Sequence, residues 1–192
     1  MRVIDIIGWF WTSAILVIAV VLVLVLIGIY NRLVGLRQAV RQGVADIDAQ
    51  QRQRHDLIPN LVETVKGYAA HEAATLEAVI AARNAAASGT PSSGGEQQLK
   101  SALGNLLALG EAYPDLKASA NFQSLQGELA DVEDKLAAAR RALNAAAARF
   151  NAARESFPAV LFAGPLGFAE ADFHRLDASA QGTVDQAPRI AF

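Results

Sequence analysis

Cysteine is absent from the chain, and histidine occurs only three times, at His55, His71 and His174. The absence of thiols excludes disulfide bridges, thiol nucleophiles and thiolate metal sites. The histidines lack the His-Glu-x-x-His spacing that places two metal ligands on one helical face. Neither a Gly-x-x-x-x-Gly-Lys-Ser/Thr phosphate loop nor a Gly-x-Ser-x-Gly elbow occurs. We therefore predict a non-enzymatic protein with no catalytic residue, no metal and no cofactor.

A strong charge of either sign is also missing. The 17 basic and 19 acidic residues give a formal net charge of −2, and no basic block is present. This balance predicts that nucleic acid is not a partner. Aromatic residues make up 7% of the chain, alanine is abundant, and runs of β-branched residues are confined to one apolar stretch. Such a composition predicts an all-α fold.

Charged side chains are absent from residues 6–31, and nearly every position between Ile15 and Ile29 is Leu, Ile, Val or Ala. A helix needs about 20 apolar residues, rising about 1.5 Å each, to cross about 30 Å of hydrocarbon. We therefore predict a short tail at 1–5 and a single transmembrane anchor at 6–30. The side chains predicted to lie at the two membrane interfaces are Trp9, Trp11, Tyr30 and Arg32.

A cleaved signal peptide is the alternative for this stretch, and it fits less well. An acidic residue accompanies the basic residue before the run, the run is longer than a signal peptide requires, and no small-x-small cleavage site follows it. Arg32, Arg37 and Arg41 follow the run closely, so the positive-inside rule favours an external N-terminus and a cytoplasmic domain. We accordingly expect a single-pass protein of the cell membrane.

Beyond the apolar stretch, apolar residues recur at spacings of three and four, which indicates amphipathic helices. The first helix should run on from the anchor and end near Pro59, because proline clashes with the preceding helical turn. The second helix is predicted over 59–87, the third over 96–112 and the fourth over 122–157. The fourth carries an unbroken heptad-like apolar seam, as in a coiled coil.

Short connections between long helices indicate that neighbouring helices are antiparallel. We therefore predict an antiparallel four-helix up-down bundle over 31–158, with its first helix continuous with the transmembrane helix. Residues 159–192 alternate apolar patches with Gly and Pro. They are predicted to form an irregular C-terminal tail that packs along the bundle through its aromatic residues and contains one short helix.

Polar residues cluster around Pro59 and along the predicted second helix. Several recur at three- or four-residue spacing, which places them close to one helical face. One interpretation is a solvated stripe with a few hydrogen bonds between helices, and the other is a contact surface for a partner protein. The members of this candidate interaction surface, called the polar set below, are Asp56, Asn60, Glu63, Lys66, Tyr68, His71 and Glu72.

The same residues carry a recognisable pattern. The stretch Asp56-Leu-Ile-Pro-Asn-Leu-Val-Glu-Thr-Val-Lys-Gly-Tyr-Ala-Ala-His-Glu72 resembles the main motif of the LemA family of bacterial membrane proteins. Further stretches resemble that family's patterns in the same order, among them Tyr30-Asn-Arg-Leu-Val34, Ala112-Tyr-Pro-Asp-Leu-Lys-Ala118 and Pro188-Arg-Ile-Ala-Phe192. Leu143 departs from the pattern, because the family usually has Tyr before Asn144.

The resemblance implies a single-pass membrane protein with an antiparallel helical bundle, and it implies no enzymatic chemistry. Members of the family are associated with membrane-protein complexes, some with membrane peptidases of the HtpX type. One branch is associated with the assembly of magnetosome membranes. The resemblance therefore implies a protein that works in an assembly at the membrane.

Three functional hypotheses follow. The first is a membrane-anchored scaffold or adaptor of the bacterial envelope, which binds other membrane or envelope proteins, a membrane peptidase among them. The second is a self-assembling homo-oligomer that organises or shapes the membrane through its helical seams. The third is an enzyme or metal-binding sensor that uses His55, His71 and Glu72.

Overall fold

The computed structural model describes residues 2–88 and 94–172, and every regular element in these ranges is a helix. Within them, side chains are described at Trp9 and from Trp11 onward. The prediction of an all-α chain with a long N-terminal apolar helix is confirmed. The helices are α1, Arg2–Lys66; α2, Ala73–Ser88; α3, Gly94–Ala112; α4, Pro114–Ala118; α5, Ala120–Glu155; and α6, Val160–Ala163.

The helices pack as two compact units, which are described separately. Unit 1 consists of the residues up to Gln42 together with Ala145–Asp172, and unit 2 contains Gly43–Asn144. Helices α1 and α5 each contribute residues to both units. The division into an anchor at 6–30, a bundle at 31–158 and a tail remains a prediction.

The first part of α1 is apolar and exposed. It contains a stretch that is long and apolar enough, by length and composition, to cross a membrane, and none of that stretch is buried. Leu24, for example, is 62% exposed. Leaving apolar surface in water costs about 25 cal/mol for each Å². The stretch is therefore a candidate transmembrane helix, at the position that the sequence predicts.

The predicted break at Pro59 is wrong, because α1 continues through this residue to Lys66. Proline has no amide hydrogen, so Pro59 cannot donate the helical hydrogen bond to the carbonyl four residues earlier, that of His55. That carbonyl instead accepts a hydrogen bond from Arg83 Nε of α2, at 2.9 Å. A side chain from a neighbouring helix thus supplies the donor that Pro59 lacks.

The other helices lie close to the predicted positions, with two differences. Helix α2 begins at Ala73 rather than at Pro59, because the chain leaves α1 in a turn over residues 67–72. A short helix, α4, was not expected and has Pro114 in its first turn, where proline costs no hydrogen bond. The tail contains the expected short helix, α6, and the predictions for residues 173–192 lie outside the described residues.

A single hydrophobic core in unit 2 receives side chains from five helices, and each of these is at most 8% exposed. Leu99, Leu103 and Leu106 of α3 lie in this core, as their spacing predicts, and Leu109 packs against it. The main contributors are Ile58, Leu61, Val62 and Val65 of α1; Leu76 and Val79 of α2; Leu99, Leu103 and Leu106 of α3; Leu116 of α4; and Phe122 and Leu129 of α5.

Helices α1 and α5 run antiparallel within unit 2. Arg54 of α1 contacts Glu133 of α5, whereas the earlier residue Gly43 lies against the later residue Leu143. A Cβ atom at Gly43 would lie 3.1 Å from the Cα of Leu143. Glycine therefore allows the two helix backbones to approach closely at this point.

Phe168 fills the core of unit 1. It is 2% exposed and packs in one cluster with Leu33 and Phe150. The Tyr30 ring meets it edge to face, with ring centroids 5.6 Å apart, and the Arg37 guanidinium lies 4.9 Å from its ring centre. Edge-to-face and cation–π contacts each add about 0.5–1 kcal/mol to the apolar burial. The tail is therefore packed against α1 and α5 by an aromatic residue.

The hydrogen bond between Arg83 and the His55 carbonyl should stabilise the fold mainly because Pro59 leaves this carbonyl without a backbone donor. We expect Arg83→Met to lower the free energy of unfolding by about 1–3 kcal/mol, since it leaves this carbonyl without a donor. In a Pro59→Ala background the backbone amide replaces the lost donor, so the same change should cost clearly less. The measurement is chemical denaturation in detergent, followed by circular dichroism. Equal costs in the two backgrounds would contradict this explanation of the unbroken helix.

Candidate functional site

The last turns of α1 have one buried face and one exposed face. Ile58, Leu61 and Val65 are fully buried in the core of unit 2. Because the helix continues through Pro59, Asp56, Asn60, Glu63 and Lys66 recur every three or four residues on the opposite side, and all four are exposed. These four residues, called the polar face below, share one surface of a single helix. Their spacing predicts this for Asn60, Glu63 and Lys66, and Asp56 joins them because the helix does not break at Pro59.

The rest of the polar set lies in the turn between α1 and α2. The amides of Tyr68 and Ala69 both donate to the carbonyl of Val65, at 3.0 and 2.8 Å, which ends the helix. Ala69 is 1% exposed and holds the turn against the core, while Tyr68 and His71 remain exposed. Tyr68 and His71 are therefore close in sequence to the polar face but lie beyond the helix that carries it.

Glu72 has a structural contact of its own. Its Oε1 accepts a hydrogen bond from the Tyr113 hydroxyl at 2.9 Å, which ties the turn to the junction of α3 and α4. This hydrogen bond raises the pKa of the Tyr113 hydroxyl, because it stabilises the protonated phenol beside a carboxylate. Glu72 is only partly exposed. Of the seven predicted residues, it is the one with a clear role in the packing of unit 2.

Arg54, which the sequence analysis did not select, is the most buried charged residue in the described ranges. It is 2% exposed and lies between two carboxylates from different helices. One terminal nitrogen donates to Glu96 of α3, and the other donates to Glu133 of α5 at 2.5 Å. Charge-assisted hydrogen bonds of this kind offset the cost of removing the guanidinium from water. Arg54 thereby links three helices of unit 2.

The sequence did contain a signal for Arg54. The buried stripe of α1 runs through Ile47, Gln51, Arg54, Ile58 and Leu61, at alternating steps of four and three. Two of these five positions are polar, in a helix whose other stripe positions are apolar. A polar residue at a core position needs a partner, so the interruption itself indicates a buried polar contact.

His55 lies beside this ion cluster and has an electrostatic environment of its own. Burial lowers the pKa of His55 below its ordinary value, and the charges of Arg54 and Arg83 lower it further, while Asp56 opposes them. Its Nε2 is 3.8 Å from Glu96 Oε1. A cavity of about 320 Å³ lies next to His55 and is lined by residues of both charge signs, Asp48, Arg52 and Glu96 among them. Among the described residues, no three or more His, Asp or Glu side chains are grouped so that they could hold a metal ion.

Comparison with known proteins identifies a family over the part of the chain that contains the motif around Pro59. The model of the LemA family matches residues 43–192. The chain belongs to the LemA family. It is also 33% identical over 72 residues to the magnetosome protein MamQ of Magnetospirillum gryphiswaldense, a match that covers 38% of this chain and 26% of that protein. The chain therefore matches less than a third of the length of this curated relative.

The predicted membrane-interface side chains of this LemA-family chain lie at the two ends of the apolar stretch. Trp9 and Trp11 are 78% and 66% exposed. At the other end, Arg32 is exposed, and Tyr30 is 44% exposed although its ring contacts Phe168. The exposure leaves all four free to face headgroups, and their role as interface anchors stays a prediction.

Breaking the Arg54 cluster should destabilise the fold strongly. Arg54→Met removes the shared cation and leaves the mostly buried Glu96 without its partner, which should cost about 3 kcal/mol. The matched control is Lys117→Met, because Lys117 pairs with Glu111 on the surface and both side chains are more than half exposed. That change should cost at most about 1 kcal/mol. The free energies are measured by urea denaturation in detergent, and similar costs for the two variants would contradict the structural role of Arg54.

Proposed function

We propose that this LemA-family chain is a non-enzymatic, membrane-anchored scaffold or adaptor of the bacterial cell envelope. In this proposal, the apolar part of α1 holds the chain in the membrane, and the polar face binds another membrane or envelope protein. The helical core of unit 2 supports this face, with its four longer helices, α1, α2, α3 and α5, in antiparallel up-down order. The N-terminus lies outside the cell and the helical domain in the cytoplasm, in line with the arginines that follow the apolar stretch.

The observation that supports this proposal best is the separation of roles on α1. The buried side of its last turns completes the core, with Leu61 and Val65 at 0% exposure. The polar face on the opposite side is exposed and has no role in that core. It carries two carboxylates, those of Asp56 and Glu63, followed by the ammonium group of Lys66, which suits a partner surface with complementary charges.

Self-assembly is the second candidate function. It is favoured by the partial likeness to a protein named as the magnetosome protein MamQ, together with the association of one branch of the LemA family with the assembly of magnetosome membranes. A lattice or ring of anchored helical domains could organise a region of membrane. The two functions differ in what the polar face should contact. An adaptor would contact a different protein, whereas a self-assembling protein would contact another copy of the same chain.

Site-specific photocrosslinking in the native membrane distinguishes them. A photoreactive amino acid at Lys66 should form an adduct with one heterologous membrane or envelope protein. The same amino acid at Glu77, an exposed residue of α2, should form none and serves as the matched control.

The charge reversal Glu63→Lys should abolish the adduct at Lys66 without changing the helicity or the thermal stability of the protein. Adducts only between copies of the chain would favour self-assembly. Unfolding of the Glu63→Lys variant would instead show that the polar face has a structural role.

A further inference from the structure

Large apolar side chains are exposed in two places in the described part of the chain. The first is the apolar stretch of α1. Beyond it, Val44, Tyr68 and Ile80 are isolated, but four others fall within residues 157–166. These four, called the tail patch below, are Phe157, Val160, Leu161 and Leu166, which are 81%, 51%, 59% and 49% exposed. A concentration of exposed apolar surface is typical of a site that contacts a membrane or a partner.

The tail patch also lies in a stretch without charge. No residue from Ser156 to Ala169 carries a charged side chain, whereas Arg154 and Glu155 precede this stretch and Glu170 follows it. An exposed segment that faces only water usually carries charged residues. Apolar composition, absence of charge and exposure are the same three properties that distinguish the candidate transmembrane stretch of α1.

The buried side of the same segment packs against the end of the apolar stretch of α1. Ala159, Ala163 and Phe168 form one cluster with Leu33, and Ile29 packs against that cluster. Ile29 and Leu33 are one helical turn apart, about 6 Å along the axis, and they flank the point at which the charge-free stretch ends. The tail patch therefore lies beside the part of α1 at which the apolar stretch ends.

Hydrogen bonds hold the segment in this position. Gly167 has a φ of 76°, a conformation that favours glycine, and the next amide, that of Phe168, donates to the Ala163 carbonyl at 2.9 Å. The Asn151 side chain of α5 both donates to and accepts from the backbone of Ala171, at 2.9 Å in each case. At its start the segment follows directly from α5, and the Val160 amide donates to the Ser156 carbonyl at 2.9 Å. The exposed side chains are thus presented by a segment held at both ends, rather than by a loose chain end.

We propose that the tail patch is a second membrane-contacting element, which lies in the lipid headgroup region beside the transmembrane part of α1. Interfacial segments of this kind insert apolar side chains about 5–10 Å into the boundary between headgroups and acyl chains. This inference rests on the proposed membrane anchoring of α1. Two contacts with the bilayer, unlike one, restrict the rotation of α1 about its own axis.

The natural absence of cysteine allows a direct test on the full chain. Leu161→Cys is labelled with an environment-sensitive nitrobenzoxadiazole group, and the protein is reconstituted in phosphatidylcholine–phosphatidylglycerol vesicles that contain doxyl-labelled lipids. Ala145→Cys, at an exposed position on α5 farther from the tail patch, is the control for a water-facing site of the same unit. Leu24→Cys is the control for the anchor.

The proposal predicts that the Leu161 label has blue-shifted emission and is quenched most by lipids with the doxyl group near the headgroup. The Ala145 label should not be quenched, and the Leu24 label should be quenched most by doxyl groups deep in the acyl chains. Quenching at Leu24 without quenching at Leu161 would overturn the tail-patch proposal and leave the anchor intact. A blue shift at Leu161 without lipid quenching would mean that protein covers the patch, and this result would also overturn the tail-patch proposal. Absence of quenching at Leu24 would overturn the anchor itself.

Discussion

The hydrogen bond from Arg83 to the His55 carbonyl allows α1 to continue through Pro59, and the candidate site depends on that continuity. Proline would otherwise leave this carbonyl without a donor and favour a kink or an end to the helix. Because the helix continues to Lys66, residues on both sides of Pro59 keep one helical register. The buried stripe and the polar face can then occupy opposite sides of the same turns, so one segment serves both folding and, in our proposal, recognition.

The buried charge of Arg54 places a second constraint on unit 2. A guanidinium that is 2% exposed is tolerated only where carboxylates meet it, and these come from α3 and α5. Apolar packing between alanine- and leucine-rich helices is compatible with several registers, whereas an ion cluster is satisfied in one. We infer that Arg54 selects the register of α1 against its neighbours, and that the leucines supply most of the stabilisation.

Local features of the sequence predicted the helices that depend on neighbouring residues. They did not predict contacts between residues that lie far apart along the chain. The apolar stretch and α3 follow from length and spacing alone. The spacing also placed Asn60, Glu63 and Lys66 on one face, but it extended that face to Ala70 or His71, which lie in the turn after α1. Asp56 joins the face only because the helix does not break at Pro59. The continuation through Pro59 could not be predicted, because the compensating donor lies 28 residues from His55 along the chain. The partners of Arg54 are 42 and 79 residues away, so only the interrupted apolar stripe gave a sign of them.

We propose that this LemA-family protein acts by binding a different protein at the membrane. Native mass spectrometry of the full chain, extracted from its own membrane in mild detergent, is the most direct test of this proposal. We expect a complex that contains one heterologous membrane or envelope protein at a fixed stoichiometry. Recovery of the chain only as a monomer, or only as a discrete homo-oligomer, would contradict it.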